Sequence, residues 1–157
     1  MMELYAILDN IRSLYNVGSV FRTADAFDFK KIYLCGFTPA PISGRQKLQI
    51  HKTALGAEEF VGWEKAGQIG RLIDKLKKQG FYILALELDK KAMDISEFKL
   101  KPSQKKIALV VGHETRGIAK PILKKCDKII QIPMVGQKES LNVSVAFGIA
   151  AFYLKNC

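Results

Sequence analysis

The sequence is poor in the residues that hold metal ions and disulfide bridges. It has two histidines, His51 and His113, and three widely spaced cysteines that form no C-x-x-C pair. A structural zinc centre needs about four such ligands, and a disulfide framework needs an even set of cysteines, so neither is expected. Unpaired cysteines are typical of a reducing compartment. We therefore predict a cytoplasmic protein that binds no metal.

Long apolar segments are also missing. Residues 1–11 contain no basic stretch followed by an extended apolar core, which a secretory signal would need. No part of the chain reaches the ~18 to 20 uninterrupted apolar residues of a membrane span. The sequence thus predicts a soluble protein that is not exported.

The glycine pattern excludes two common ligand sites. The twelve glycines never lie two positions apart, and no glycine-rich stretch leads into G-K-[ST]. The first absence excludes the G-x-G turn of dinucleotide-binding folds and of the common Rossmann-like methyltransferases. The second excludes the phosphate-binding loop of nucleotide hydrolases. A different kind of ligand site is therefore expected.

What remains describes one globular domain with a strong positive charge. The chain has 157 residues, 48% of them hydrophobic, and no repeat or linker divides it, so we predict a single domain over residues 1–157. Lysine and arginine number 25 against 15 acidic residues, which gives a formal charge of +10. This charge favours a polyanionic partner, and nucleic acid is the first candidate, ahead of an anionic membrane surface.

Short apolar runs without polar alternation are typical of strands buried on both faces of a parallel sheet. Between two of them, Ile69 to Leu76 has apolar residues at i, i+3, i+4 and i+7, which predicts a helix that Gly80 ends. This alternation predicts the α/β class, a mostly parallel sheet with helices on both faces. A last helix, Leu141 to Leu154, is apolar nearly all round, so we expect a second subunit to cover it. The five apolar runs are residues 4–8, 31–37, 81–88, 106–111 and 128–132.

Ligands of parallel sheets bind at the carboxyl ends of the strands, so we expect the ligand site in the loops after Leu8, Leu88, Val111 and Ile132. The first loop enters the segment Asn10 to Phe27, in which Asn16 and Arg22 stand at the exposed end of a helix whose apolar residues face the sheet. On spacing alone, a second interpretation fits equally well: Asn16 as the helix N-cap and Arg22 as a surface cation.

Two later segments have the same strand-to-loop character. In Val110 to Gly117, two glycines five apart flank Glu114 and let the backbone approach a ligand closely. In Ile132 to Ala146, a strand ends in Ile-Pro-Met, passes through a glycine loop and enters the last helix with Ser140 as the expected N-cap. Each also has a purely structural interpretation, a strand-to-helix turn for the former and a capping contact of Asn142 for the latter.

In order and separation, these three segments resemble the motifs of the SpoU (TrmH-like) branch of the SPOUT superfamily, the AdoMet-dependent RNA ribose 2′-O-methyltransferases. The matching patterns are N-x5-R-T-x-D-A, G-x-E-x-x-G and I-P-M-x-G-x3-S-L-N-V-S-V-A, and the resemblance extends from Leu4 to Leu154. It implies a C-terminal deep trefoil knot, S-adenosyl-L-methionine as the cofactor, and sites completed across a homodimer. It also implies transfer RNA or ribosomal RNA as the substrate. We expect no added RNA-binding domain, no membrane and no metal.

The same resemblance assigns roles to individual residues. Those implied to line the cofactor pocket are Leu86, Glu87, Gly112, Ile132, Met134, Ser140 and Leu141. Those implied to form the catalytic group are Asn16, Arg22, Glu114, Ser140 and Asn142. Within that group, Arg22 is expected to grip the phosphate beside the target ribose and to orient its hydroxyl. Further RNA phosphate contacts are expected, from their charge, at Lys30, Lys31, Arg45, Lys47 and Lys52.

The second motif departs from the family pattern at one position. Relatives commonly have asparagine before the motif glutamate, whereas this chain has His113, which we expect to be a structural loop residue. Two other functions fit the same fold: a catalytically inactive RNA-binding protein, and a methyltransferase that acts on a base. Retention of all five catalytic side chains argues against the former. The pairing of Asn16 and Arg22 with Ser-Leu-Asn favours ribose over base.

Overall fold

The computed structural model describes residues 1–157, which form seven strands and five helices. The strands are β1 (Glu3–Asp9), β2 (Phe29–Cys35), β3 (Gly62–Ala66), β4 (Tyr82–Leu86), β5 (Met93–Asp94), β6 (Lys106–Val111) and β7 (Lys128–Gln131). The helices are α1 (Leu14–Ala26), α2 (Gly44–Ala54), α3 (Ile69–Lys78), α4 (Lys120–Lys125) and α5 (Val143–Lys155). The five strands predicted from apolar runs are all present, within two residues at each end.

All seven strands are parallel and form one sheet in the order β3-β2-β1-β6-β4-β7-β5. β1 pairs with β2 on one side, up to Asp9 opposite Cys35, and with β6 on the other, up to Leu8 opposite Val111. Because the strands are parallel, every strand ends on the same side of the molecule. We call this side the carboxyl end of the sheet and the opposite side the amino end.

Helices cover both faces of the sheet, as the α/β prediction requires. The larger core contains the buried side chains of α1, α2 and α5 together with one face of the central strands. The smaller core lies on the other face, where α3 buries its predicted apolar stripe of Ile69, Leu72, Ile73 and Leu76. Gly80 follows α3 with φ +86°, a conformation that favours glycine and ends the helix. The predicted fold class is confirmed.

Helix α5 is buried on one side only. Phe147 is fully buried, and its ring lies 5.2 Å from the ring of Phe29, centroid to centroid. On the other side Val145, Ile149 and Phe152 are exposed, Phe152 by 60%. The helix is therefore apolar nearly all round, as predicted, and a single chain leaves part of it uncovered.

The start of α5 corrects a prediction. Asn142 is the N-cap, because its Oδ1 accepts hydrogen bonds from the backbone N–H groups of Ser144 at 2.9 Å and Val145 at 3.4 Å. Ser140, the predicted cap, is an exposed residue of the preceding loop. Both residue types cap helices well, so their order along the chain could not decide between them.

Two strands were not predicted from the sequence, because neither has a buried apolar run. β3 is an edge strand with the sequence Gly-Trp-Glu-Lys-Ala, and β5 contains two residues. The C-terminal knot implied by the resemblance stays a prediction. None of the five helices is both long enough and apolar enough to cross a membrane.

Candidate active site

The loops after β1 and β2 are fastened to each other at the carboxyl end of the sheet. Thr38 is fully buried, and its hydroxyl donates to the carbonyl of Leu8 at 3.0 Å and accepts from the N–H of Ile11 at 3.1 Å. The side-chain oxygen of Asn10 accepts from the N–H of Phe37 at 3.1 Å. These contacts fix the segment that leads into α1.

Glu114 holds the start of α1 from a distant part of the chain. Its carboxylate accepts from the N–H of Ser13 at 3.0 Å and from the N–H of Arg12 at 3.1 and 3.2 Å. It also accepts from Nδ2 of Asn16 at 3.4 Å. Ser13 is the N-cap of α1, since its hydroxyl accepts from the N–H of Asn16 at 3.2 Å. The interpretation of Asn16 as N-cap is therefore wrong, and its side chain is available to the site.

This environment keeps Glu114 ionised. Partial burial raises the pKa of its carboxyl, but the hydrogen bonds from Ser13, Arg12 and Asn16 outweigh burial, and the net effect holds the pKa below its ordinary value. A carboxylate with a lowered pKa is a weak base. Glu114 is thus suited to orienting the groups around it rather than to removing a proton.

Asn142 completes a polar chain across three loops. Its Nδ2 donates to Oδ1 of Asn16 at 3.2 Å, while its own Oδ1 caps α5. Asn16 in turn donates to Glu114. We call Asn16, Glu114 and Asn142 the polar triad, and it joins one residue from each of the three motif segments.

A crevice opens beside the polar triad at the carboxyl end of the sheet. Its empty volume, with the open solvent at its mouth included, is ≈ 690 Å³. Eight of its 16 lining residues are hydrophobic, so one ligand could bury an apolar part and still meet polar groups. The lining includes all seven residues predicted to bind the cofactor: Leu86, Glu87, Gly112, Ile132, Met134, Ser140 and Leu141.

Glu87 fastens one wall of the crevice. Its Oε2 accepts from the N–H of Ile118 at 2.7 Å, and its Oε1 accepts from the N–H of Leu88 at 3.0 Å. Gly117 has φ +66°, and a Cβ atom there would collide with the Glu87 carboxylate. The second glycine of the G-x-E-x-x-G segment is therefore required by both its conformation and its contact.

The structure does not bring Arg22 to the other predicted catalytic residues. Arg22 is exposed on α1, does not line the crevice, and makes no hydrogen bond or salt bridge within the chain. It lies six residues after Asn16, which on a helix is about 9 Å along the axis and roughly 120° away around it. Ser140 lines the crevice but has no hydrogen bond to the triad.

The five predicted RNA contacts divide into two groups. Lys30 and Lys31 lie at the amino end of the sheet, far from the crevice loops, and pair with Asp28 at 2.5 Å and Glu64 at 2.7 Å. The second group is exposed on α2 and has no carboxylate partner within the chain. That helix is joined to the start of α1 by a hydrogen bond from Thr53 Oγ1 to the carbonyl of Tyr15 at 2.8 Å. The second group consists of Arg45, Lys47 and Lys52.

Sequence reasoning missed one neighbour of the crevice. Phe37 follows β2 and is 49% exposed, and its ring lies 6.0 Å from that of His113 in an edge-to-face arrangement. The loop after β2 follows a predicted strand in the same way as the four predicted ligand loops, but it was not predicted to be one of them. No cluster of three or more potential metal ligands exists in the chain.

Comparison with known proteins gives the family. The model of the SpoU rRNA Methylase family matches residues 3–152. The chain belongs to this family. The SpoU assignment made from the three motif segments is thereby confirmed.

Relatives of this SpoU protein occur in bacteria and archaea. It is 35% identical over 149 residues to a protein of Borreliella burgdorferi named an uncharacterized tRNA/rRNA methyltransferase, and the alignment covers 95% of this chain and 62% of the relative. A protein of the same name from Archaeoglobus fulgidus is 34% identical over 147 residues, with 94% and 62% covered. The SpoU chain therefore spans about three fifths of the length of these curated relatives.

Solved structures agree with the SpoU assignment. A TrmH/SpoU tRNA modifying enzyme from A. aeolicus superposes with a TM-score of 0.84 at 28% identity, covering 99% of this chain and 75% of that one. An AdoMet-bound rRNA methyltransferase from Sinorhizobium meliloti also gives a TM-score of 0.84, at 26% identity, with 98% and 56% covered. These similarities support the parallel sheet and its helices over nearly the whole chain.

Proposed function

We propose that this chain is an AdoMet-dependent methyltransferase that modifies the ribose 2′-hydroxyl of a transfer RNA or ribosomal RNA. The observation that carries the proposal is the meeting of three loops at one crevice, where the polar triad stands beside all seven predicted cofactor-binding residues. Membership of the SpoU family and the AdoMet-bound relative from Sinorhizobium meliloti support it.

The lining of the crevice fits S-adenosylmethionine in its chemistry. AdoMet carries an apolar and a polar part, and the lining is divided in the same way between residues such as Ile132 and Met134 and the carboxylate of Glu87. When bound, the cofactor supplies a methyl group on a positively charged sulfur. The apolar wall would exclude water from that group, and Ser140 would hold its loop against the ligand.

The polar triad positions groups around the acceptor. Glu114 holds the backbone of residues 12 and 13, and Asn16 and Asn142 link that backbone to the first turn of α5. A pre-oriented set of this kind lowers the entropic cost of aligning a hydroxyl with its methyl donor. Its effect is therefore on orientation rather than on proton removal.

Arg22 would bind the phosphate beside the target ribose and orient the hydroxyl. A guanidinium keeps its proton in proteins, so the hydroxyl proton would leave to phosphate or to water. Because Arg22 stands apart from the triad within one chain, we propose that it reaches the site of a second copy. The exposed apolar residues Val145, Ile149 and Phe152 of α5 provide a surface for such a homodimer.

The RNA would lie over the carboxyl end of the sheet and α2. Arg45, Lys47 and Lys52 are exposed and unpaired on a helix joined to α1, which suits phosphate contacts. Lys30 and Lys31, which were expected to share this task, are at the other end of the sheet and already paired with carboxylates. Their contribution to RNA binding should therefore be small.

The function is tested by incubating the protein with RNA that lacks the modification and with AdoMet bearing a deuterated methyl group, followed by nucleoside mass spectrometry. We expect the label on a ribose oxygen. Label on a base would favour a base methyltransferase, and RNA binding without transfer would favour an inactive RNA-binding protein. Either result overturns the proposal.

The shared site is tested by mixing two inactive variants, Arg22→Ala and Glu114→Ala. If Arg22 acts across the dimer, each mixed dimer regains one intact site, and equal mixing restores about a quarter of the normal activity. If Arg22 acts within its own chain, no mixed dimer has an intact site. Absence of recovery in dimers shown to exchange subunits would contradict the proposal.

A further inference from the structure

We infer that Phe37 and His113 form a platform that recognises a nucleobase of the RNA at the mouth of the crevice. We call this pair the aromatic platform. The inference rests on the proposed function, because it supplies a base contact that the methyl-transfer site itself does not include. It goes beyond the predicted role of His113 as a structural loop residue.

Phe37 is an exposed aromatic ring on a rigid support. Its N–H is held by Asn10, and the next residue, Thr38, is fully buried and bonded to the loop after β1. The ring is nevertheless 49% exposed, and its edge-to-face contact with His113 lies beside the crevice. A rigid exposed ring loses little freedom when a flat partner stacks on it.

His113 has one nitrogen occupied by its loop and one free. Nδ1 accepts from the N–H groups of Thr115 and Arg116, both at 3.1 Å. An acceptor Nδ1 requires that the neutral ring carry its proton on Nε2. Nε2 makes no hydrogen bond within the chain, so it presents an unused donor.

The combination of a stacking ring and a free Nε2–H donor suits a nucleobase. Unpaired bases in RNA stack on aromatic side chains and accept hydrogen bonds on their carbonyl oxygens and ring nitrogens. His113 also lines the shallow polar surface next to the crevice, together with Arg12, Ser13, Glu114 and Thr115. A phosphate on Arg12 and a base on the aromatic platform would place one nucleotide directly beside the polar triad.

The chain offers matched control residues. His51 is the other histidine and lies on α2, where its Nδ1 contacts Glu58 at 2.6 Å. Phe60 is an 82% exposed phenylalanine that precedes β3 at the amino end of the sheet. Neither belongs to the crevice lining, so neither should respond to a base bound at its mouth.

The first test is nuclear magnetic resonance of the two histidine rings in the protein bound to S-adenosylhomocysteine. The probes are a single-stranded uridine decamer and an abasic RNA decamer, which keeps the sugar and phosphate groups but has no bases. We expect the uridine decamer to shift the His113 signals more than the abasic decamer does, and the two decamers to affect His51, on the phosphate-binding helix α2, equally. Equal shifts of His113 with both decamers would show phosphate binding and overturn the inference.

The second test measures the affinity of variants for the same two decamers. Phe37→Leu keeps the apolar volume but removes the ring, and we expect about tenfold weaker binding of the uridine decamer, the scale of one lost base stack. Binding of the abasic decamer and of S-adenosylhomocysteine should stay the same, as should both RNA affinities of Phe60→Leu. Normal uridine-decamer binding by Phe37→Leu would overturn the aromatic platform.

The two proposals fail in different ways. If the protein binds the uridine decamer through the platform but transfers no methyl group to RNA, the proposed function is wrong and the platform stands. If it methylates RNA while Phe37→Leu and His113→Asn bind both decamers as the wild type does, the platform alone is wrong.

Discussion

The two ends of the parallel sheet use charged and polar residues in different ways. At the carboxyl end, Glu114 bonds to Ser13 across 101 residues of sequence, and Asn142 bonds to Asn16 across 126. At the amino end, Lys30 pairs with Asp28 two residues away, with both side chains about half exposed. The contacts at the carboxyl end are hydrogen bonds that hold separate loops in one arrangement. Asp28 instead takes part only in ion pairs that are partly exposed to solvent, with Lys30 and, at 3.4 Å, with Lys155 of α5.

This difference separates polar groups that organise a site from those that keep a surface solvated. Without Glu114, the partly buried N–H of Ser13 and the partly buried side-chain amide of Asn16 would lose their acceptor, and such losses are costly. Exposed ion pairs are screened by water and contribute little. Substitutions at the carboxyl end should therefore have large and specific effects, and those at the amino end small ones.

The largest expected effect is on catalysis. Arg22→Ala should lower methyl transfer by ~100-fold or more while changing affinity for S-adenosylhomocysteine only a few fold, because it removes a positioning group outside the crevice. Turnover and calorimetric titration measure the two quantities. Arg71→Ala, which removes an exposed arginine from α3 on the other face of the sheet, is the matched control and should retain normal turnover. Near-normal turnover in Arg22→Ala would refute the assignment.

The next effect is on stability. Glu114→Ala should lower the free energy of unfolding by about 1 to 3 kcal/mol, because two partly buried donors, from Ser13 and Asn16, and the exposed N–H of Arg12 lose their acceptor. Denaturant unfolding measures this loss. A change no larger than that of an exposed substitution would show that the carboxylate does not hold the loop.

The same residue predicts a pH dependence. Since the pKa of Glu114 is lower in the folded chain than in the unfolded one, its contribution is complete above the ordinary glutamate value of about 4.3 and is lost as the pH falls through the folded-state pKa. The stability difference between the wild type and Glu114→Gln should thus be constant near neutrality and shrink in acid. A difference that grows on acidification would contradict the sign of the shift.

A smaller effect is expected at the cap of α5. Asn142→Ala should cost about 1 kcal/mol of stability through the lost cap. Asn142→Asp keeps the capping oxygen but loses the donor to Asn16, so it should recover stability without recovering methyl transfer. Equal methyl transfer by Asn142→Asp and the wild type would show that the hydrogen bond from Asn142 to Asn16 does not contribute to catalysis.

The smallest effect belongs to the amino end. Lys31→Ala breaks the exposed pair with Glu64 and should change the free energy of unfolding by no more than about 0.5 kcal/mol. RNA affinity should also stay close to normal, whereas Lys52→Ala on α2 should weaken it and reduce its salt dependence. An equal loss of RNA affinity in both variants would contradict the proposed difference between the two ends of the sheet.

Much of this fold is predictable from the sequence, because buried apolar runs and the stripe of α3 follow from burial alone. The residues that line the crevice were also predicted, through the resemblance of the three motif segments to the SpoU family. The helix N-caps were harder to predict. Ser13 and Asn16 both suit the cap of α1, and Ser140 and Asn142 both suit the cap of α5. Only the folded backbone decides between the two members of each pair.

Other features depend on long-range geometry. The exposed strand β3 has no apolar signal, and its position at the sheet edge follows only from pairing with β2. The separation of Arg22 from the polar triad depends on which face of α1 the sheet covers. The contact of Phe37 with His113 joins loops 76 residues apart, and no local pattern indicates it.

The central claim is that the carboxyl end of the sheet is a ribose methylation site. It is tested most directly by mapping 2′-O-methylation in RNA from cells that contain the protein, lack it, or carry Arg22→Ala. We predict that defined ribose positions lose their methyl group in both altered cells and keep it in the first. An identical methylation map in all three would contradict the account.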